Sequence, residues 1–553
     1  MKLGHSFIAI LIITLINSPI YGQKKGLESI NQRDLEKHMD FLASDEMKGR
    51  ATGDPGLLVA ARYLAAQAKH LGLKSADEEN GYYQYFKITE NSYDRKKCQM
   101  HIVPDGNDEI VNRDSFYFYH FKSAGSTSIE GEVIFAGYGI HDDENNYNDF
   151  QDIIIKDKIV MIMERAPMNE DGTEAQFDNE KWSDSNSFLK KMNYIKEQQP
   201  RAVLMVQDPK SGFNSLGERF PNYVSEVESY KSMRSDDEKK KLGFEETGGL
   251  ISYGLIDIHR SVADQLLTYA GKNLAVIQKE IDSSLTPQSF LIPDVKLKID
   301  LIIKEKPIPA PNIFGIIEGS DPLLKNEFLI YTAHFDHLGT DGEGGVFNGA
   351  DDNASGTVAL IEIAQAFLNE KKKAKRSIGF LWVSAEEIGI YGSKYFADNP
   401  LVPVEDIVAV INLDMISRSQ TEEDRASSRE GLTIAGGDSV KVIGGLQSKV
   451  LMELNEDALD DMNLPGNYRY NDPDHPLRFF VRSDHISFAR KDIPVIFYST
   501  GTHNDYHRLT DNLVGVDYKR FVEMTKLAFL LGYKATNYNG AIEVDNPMSG
   551  WQK

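Results

Sequence analysis

The stretch Phe328-Leu329-Ile330-Tyr331-Thr332-Ala333-His334-Phe335-Asp336-His337 decides how this chain reads. Its first six residues are almost wholly apolar, the pattern of a strand buried on both faces. It ends abruptly in imidazole and carboxylate side chains. The same design recurs downstream. The run Ile378 to Ser384 precedes Ala385-Glu386-Glu387, Ile407 to Leu413 closes on Asp414, and Pro494 to Ser499 reads as a further strand. Between them Ala354 to Asn369 is predicted helical, with Leu360, Ile361, Ala364, Phe367 and Leu368 on one face, and a last helix is predicted over Tyr518 to Leu531. Buried strands separated by amphipathic helices imply an α/β fold: a mixed, mostly parallel sheet covered by helices on both faces.

In open α/β sheets ligands gather beyond the carboxyl ends of the strands. A lone histidine or Glu-Glu pair is more often structural or solvated, but here three separate strands deliver such groups to one edge. Two further segments add to them: Gly349-Ala350-Asp351-Asp352-Asn353, in a loop entering a helix, and Tyr506-His507. An acid at a helix entrance ordinarily caps free backbone N–H groups. One residue suffices for that, which leaves Asp351 as the proposed bridge between two cations. Asp336 is suited to take the second ring N–H of a ligating His334. Together the five segments supply what a pair of divalent metals needs: imidazoles, carboxylates, one bridge and one unligated base.

At 553 residues the chain exceeds one ordinary domain. Its net charge of −23 argues against a nucleic-acid partner and against docking on an anionic membrane surface. Lys2 and His5 precede the apolar run Phe7 to Ile16, and small residues follow from Ser18 to Gly22, so residues 1–22 read as a cleaved signal peptide. That run is short for a stable membrane span. Cys98 is the single cysteine, so no intramolecular disulfide forms and any metal rests on His, Asp and Glu. Export without disulfides fits a bacterial periplasm or exterior.

Residues 28–72 read as two helices, the first capped by Asn31 with Leu35, Met39 and Leu42 on one face, the second stopped by Gly72. From about 100 to 285 short β runs dominate, and the mixed-charge run 235–241 reads as solvated surface. Lys306-Pro-Ile-Pro-Ala-Pro311 is a stiff connector or edge strand.

With these residues on the page, the chain resembles the dinuclear zinc exopeptidases that include bacterial leucyl aminopeptidases, plasma glutamate carboxypeptidase and glutamate carboxypeptidase II. The motifs are His334-x-Asp336, Gly349-Ala-Asp351-Asp-Asn-Ala-Ser-Gly356, Ala385-Glu386-Glu387, Asn412-Leu-Asp414-Met and Tyr506-His507 with Asp511. The resemblance implies a zinc exopeptidase-like (phosphorylase/hydrolase-like) fold with an inserted, mainly-β protease-associated domain around Ala136-Gly-Tyr-Gly139. The expected limits are 23–98 for the N-terminal part, 99–288 for the insert, 289–540 for the main peptidase domain and 541–553 for a tail. It further implies two Zn2+ ions, with Co2+ or Mn2+ as substitutes. His334 and Asp414 would hold one, Glu387 and His507 the other, and Asp351 both; Glu386 would be the general base, Asp336 the partner of His334 and Tyr506 an oxyanion donor. His337, His475, His485 and His503 are kept as non-ligands. The expected activity is an exported aminopeptidase acting on peptides. The alternatives are a carboxypeptidase or dipeptidase using Arg418, a one-zinc glutaminyl cyclase, and an inactive binding module. Oligomeric state is left open.

Overall fold

A computed structural model describes residues 24–550, apart from 95–96, 105–106, 120–126, 178–181, 183–184, 213–215, 217–226, 233–254, 428–431, 435–438, 473–474 and 476. The expected signal peptide and the charged run 235–241 lie outside the described residues. No described helix is long and apolar enough to cross a membrane. The chain divides into two units, Met1–Lys87 with Pro309–Lys553, and Ile88–Ile308. The second unit is wider at both ends than the expected 99–288. Residues 89–94 pair with 227–232, and strand Ser289–Leu301 pairs antiparallel with Gln99–Pro104 and Thr127–Ala136. The flank Ser289–Leu301 therefore belongs to the second unit's own eight-stranded sheet. Its eight-stranded sheet also carries helices Ser185–Glu197, Arg260–Thr268 and Leu274–Ser284, which the short β runs did not announce.

The first unit holds helices α1 (Gln32–Leu42) and α2 (Pro55–Leu71), then strand β1 (Ile303–Ile317, whose later part lies here) and strand β2 (Phe328–His334). After these come α3 (Gly356–Asn369), β3 (Ser377–Val383), α4 (Tyr391–Asp398), β4 (Ile407–Leu413), β5 (Val440–Gly444), α5 (Lys449–Met462), β6 (Val495–Ser499) and α6 (Tyr518–Asn537). Asn31 caps α1 by accepting from the Asp34 N–H, and Gly72 ends α2 in the left-handed region. Within a nine-stranded sheet of the described residues, these six strands lie in the order β1-β3-β2-β4-β6-β5. The middle four are parallel; β1 and β5 run antiparallel at the flanks. Lys306–Pro311 is thus part of a strand.

Side chains alternate across the sheet. Leu329, Tyr331 and Ala333 of β2 pack with Phe380, Ile411 and helices α1, α2, α3, α5 and α6; Ile330 packs on the other face with Leu381, Val410 and Phe396 of α4. Both faces are covered, as the continuous apolar runs require. Helix α6 runs six residues past its expected end because Ala535 and Thr536 are still buried. Where it crosses β2, Gly532 lies against the Tyr331 hydroxyl, and that hydroxyl donates to the Ala528 carbonyl at 2.9 Å. A Cβ at 532 would occupy the same space.

One buried contact between α1 and α3 carries a pH prediction. His38 Nε2 stands 3.7 Å from Glu362 Oε1, and its Nδ1 is 2.6 Å from the Tyr63 hydroxyl. Burial, with Asp34 adding, pushes the Glu362 carboxyl up to about 8. Burial, with Lys37 adding and Asp34 opposing, pushes His38 down to about 4. Both groups are therefore neutral near pH 6, and the contact is not an ion pair there. A folded carboxyl above its unfolded value contributes stability that is complete below the unfolded pKa and lost as pH rises through about 8. His38 contributes the opposite limb, lost as pH falls below its unfolded value toward about 4. Glu362→Gln should flatten the alkaline limb, raising the thermal midpoint at pH 9 by about 2–4 °C or more relative to wild type at the same pH. Parallel midpoint–pH curves for the two proteins would refute this.

Candidate metal centre

The carboxyl ends of β2, β3 and β4 deliver His334, Glu386 with Glu387, and Asp414. Ala385 takes a left-handed φ of 62°, which turns the chain off β3 so that both glutamates come to the sheet edge. The loop before α3 turns at Gly349, also left-handed at 55°, where a Cβ would strike the His337 ring. Its next backbone N–H groups are gathered by one buried carboxylate: Asp511 accepts from Asp351 N at 3.1 Å and from Asp352 N at 3.1 Å.

Asp352 is the acid this turn points at the imidazoles. Its Oδ1 is 3.4 Å from His334 Nε2, which is also 3.5 Å from Asp414 Oδ1. Its Oδ2 is 3.2 Å from His507 Nε2, which is also 3.1 Å from Glu387 Oε2. Asp351, the expected bridge, faces the other way. Its Oδ1 accepts from both the N–H and the hydroxyl of Ser417 at 2.7 Å, and its Oδ2 is 3.3 Å from His503 Nε2. Adjacent residues of a turn need not share a side, and the Asp511 clamp fixes which one looks inward. The structure thus turns Asp352, and not Asp351, toward both His334 and His507.

Asp336 is corrected in a smaller way. The His334 Nδ1–H points to the Asp336 main-chain carbonyl at 3.2 Å, with the carboxylate farther off at 3.7 Å. That carboxylate instead accepts from Glu386 N at 3.1 Å, Glu387 N at 3.4 Å and the Thr52 hydroxyl at 3.0 Å. It holds the Glu-Glu turn in place. His337 has a job too: its Nδ1 is 2.6 Å from Glu387 Oε1, leaving Oε2 for the His507 side. His485 hydrogen-bonds the Phe480 carbonyl, and burial lowers it to about 3, the behaviour of a neutral core histidine. On Asp414, Oδ2 is held by the Ser483 hydroxyl at 2.7 Å, itself held by Asn412.

Arg50 is the residue that sequence patterning missed. Its buried guanidinium donates to the carbonyls of Leu42, Phe335 (2.9 Å), Asn348 (2.7 Å) and Gly349 (3.0 Å). It thus ties the N-terminal segment to the loops bearing His334 and Asp352. Arg418, the candidate for a substrate carboxylate, is also occupied. It donates to Asp511 Oδ1 at 2.9 Å and lies 3.4 Å from Asp505.

The electrostatics follow from burial of like charges. Glu386 is pushed well above the usual carboxylate range by burial and then, against His334, by Asp484, Glu387 and Asp414. His507 loses from burial but gains more from Asp352 and Glu387, ending raised to about 10. Tyr506 stacks on His507 with ring centroids 3.8 Å apart, and burial beside the acids raises its phenol strongly.

This donor set fits divalent cations. Ligand atoms of His334, Asp352 and Glu387 lie within 4.8 Å of one another. Among the described residues, Asp414 Oδ1 and His507 Nε2 are buried without a hydrogen-bond partner. Imidazoles and carboxylates in this arrangement suit zinc, with cobalt or manganese as chemical alternatives. A pocket opens beside them, lined by Glu386, Asp414, Met415, Phe479, Arg482 and Tyr506 among others.

Residues 312–531 match the model described as Peptidase family M28. The chain is 25% identical over 276 residues to a probable zinc metalloprotease of Pyrenophora teres f. teres, a match covering 45% of this chain and 52% of that protein. It is 25% identical over 191 residues to leucine aminopeptidase 2 of Trichophyton equinum, covering 34% and 33%. The chain thus spans about half, or less, of the curated relatives it matches. Among solved structures, an aminopeptidase from Aneurinibacillus sp. strain AM-1 superposes with a TM-score of 0.51 at 16% identity, covering 95% of this chain and 98% of that one. That likeness establishes a shared fold.

Proposed function

We propose that the protein, whose residues 312–531 match Peptidase family M28, is an exported aminopeptidase that releases N-terminal residues from peptides at a two-zinc site. The observation that carries this reading is the position of Asp352, with one oxygen toward His334 and Asp414 and the other toward His507 and Glu387. A carboxylate shared between two imidazole–carboxylate pairs is what neighbouring cations require. His334 and Asp414 would hold one zinc, Glu387 and His507 the other, and Asp352 both. Bound there, the ions supply an acidified water and polarise the scissile carbonyl.

The chain's own residues do the rest. Glu386 has neither imidazole as a partner and sits among buried acids, so its carboxylate holds a proton readily. It takes the proton of the attacking water and hands it to the leaving amine. Tyr506 keeps its phenolic proton over the working pH range and donates it to the developing oxyanion. Asp336 keeps Glu386 and Glu387 aimed by holding their backbone N–H groups.

The amino end is favoured by three things. The pocket is rich in carboxylates that attract a free α-amine. Arg418 is pinned under the Asp351–Asp352 turn rather than available to a C-terminal carboxylate. Curated relatives include proteins named leucine aminopeptidase. Export rests on the leader-like residues 1–22.

The test is chelation and reconstitution. The chelated protein should lose hydrolysis of a leucyl anilide, and activity should return fully at about two zinc equivalents per chain, as a two-metal site requires. N-acetylated peptides should resist cleavage. Release of C-terminal residues from those blocked peptides would replace the aminopeptidase reading with the carboxypeptidase one.

A further inference from the structure

The same pocket that the acids line also carries one cation among the described residues. Arg482 lines it together with Phe479, Phe497 and Met415. Its guanidinium carbon lies 5.6 Å from the Phe479 ring centroid, over an apolar surface that leaves its N–H fork unused. The side chain is exposed to the pocket solvent, and among the described residues no carboxylate is paired with it.

Its mount is rigid. The Arg482 N–H donates to the Phe479 carbonyl at 3.2 Å, closing a short helical turn over Phe479–Val481. The next residue, Ser483, is buried and fixed between Asn412 and Asp414 by hydrogen bonds of 2.8 and 2.7 Å. Arg482 is therefore held in register with a carboxylate at the proposed zinc site rather than swinging on a free loop.

A neutral aliphatic side chain has no use for a guanidinium at this place. Nor does the α-amine, which a guanidinium repels and which Glu386 and its neighbours attract. A planar guanidinium backed by an aromatic ring presents parallel N–H groups to a carboxylate and binds it with both. We propose that Arg482 receives a carboxylate of the substrate. Resting on the aminopeptidase reading, this gives the pocket a preference for acidic peptides: an Asp or Glu side chain beside the scissile bond, or the free terminus of a dipeptide.

The experiment compares two matched pairs, glutamyl against leucyl anilide and Leu-Gly against Leu-Gly-amide, in wild type, Arg482→Gln and Arg482→Lys. In wild type one pair should favour its carboxylate member. In Arg482→Gln that pair's ratio of kcat/KM should fall by about tenfold or more, chiefly through KM, the scale of a charge-assisted hydrogen bond. Arg482→Lys should restore part of it, since the charge returns without the fork. Which pair responds identifies the side-chain or the terminal carboxylate as the source. Unchanged ratios in both pairs, or equal losses on all four substrates, overturn the assignment while leaving the aminopeptidase reading intact. A wild-type protein inactive on both neutral substrates overturns both.

Discussion

Glu386→Gln should retain both proposed zinc ions and lose turnover by about 10³-fold or more, at the upper part of the range for general acid–base catalysis. The amide keeps the size and position of the carboxylate. Its backbone N–H still donates to Asp336, so the turn carrying Glu387 is undisturbed. What disappears is the proton carrier. The loss should fall on kcat with KM little changed, because the proposed role of Glu386 is on the attacking water. Metal content by elemental analysis and steady-state kinetics on a leucyl anilide settle the matter together. A variant with near-normal kcat removes Glu386 from the chemistry; one that has shed metal makes it a ligand.

The second large effect separates neighbouring aspartates. Asp352→Asn should bind at most one zinc tightly and lose well over about 100-fold in kcat/KM, more than outer partners of metal ligands usually cost. One of the two oxygens, and so the contact with one imidazole cluster, becomes an amide nitrogen, which cannot ligate. Asp351→Asn should keep both metals. Its amide oxygen can still accept from Ser417, and the change falls on the contact with His503. The expected cost is about 1–3 kcal/mol of stability, that of a disturbed buried hydrogen bond. If Asp351→Asn loses metal while Asp352→Asn retains it, the bridging position belongs to Asp351 after all.

These two acids also mark where the sequence stops being readable. Strands β2, β3 and β4 announce themselves because they are buried on both faces, and each ends where its apolar run ends. His334, Glu387 and Asp414 come with them, since a strand terminus fixes direction. The Gly349–Asn353 turn has no such periodicity. Which of Asp351 and Asp352 faces the imidazoles depends on Asp511, 160 residues away. His337, read as a non-ligand, contacts Glu387, a relation visible only across strands. The reach of the second unit is hidden for a similar reason: Ser289–Leu301 is a strand by composition, and only its pairing with Gln99–Pro104 and Thr127–Ala136 says which sheet owns it.

Arg50 has a consequence for how the chain comes off the ribosome. Its four carbonyl partners include Phe335, Asn348 and Gly349, all made after the whole of Ile88–Ile308. At roughly 5–20 residues per second, synthesis of that insert occupies about 10–45 s. Throughout this interval α1 and α2 exist without the sheet they cover, their leucines and alanines exposed, and Arg50 has no turns to tie together. The N-terminal segment is a waiting partner whose apolar surface stays open until the sheet it covers has been made.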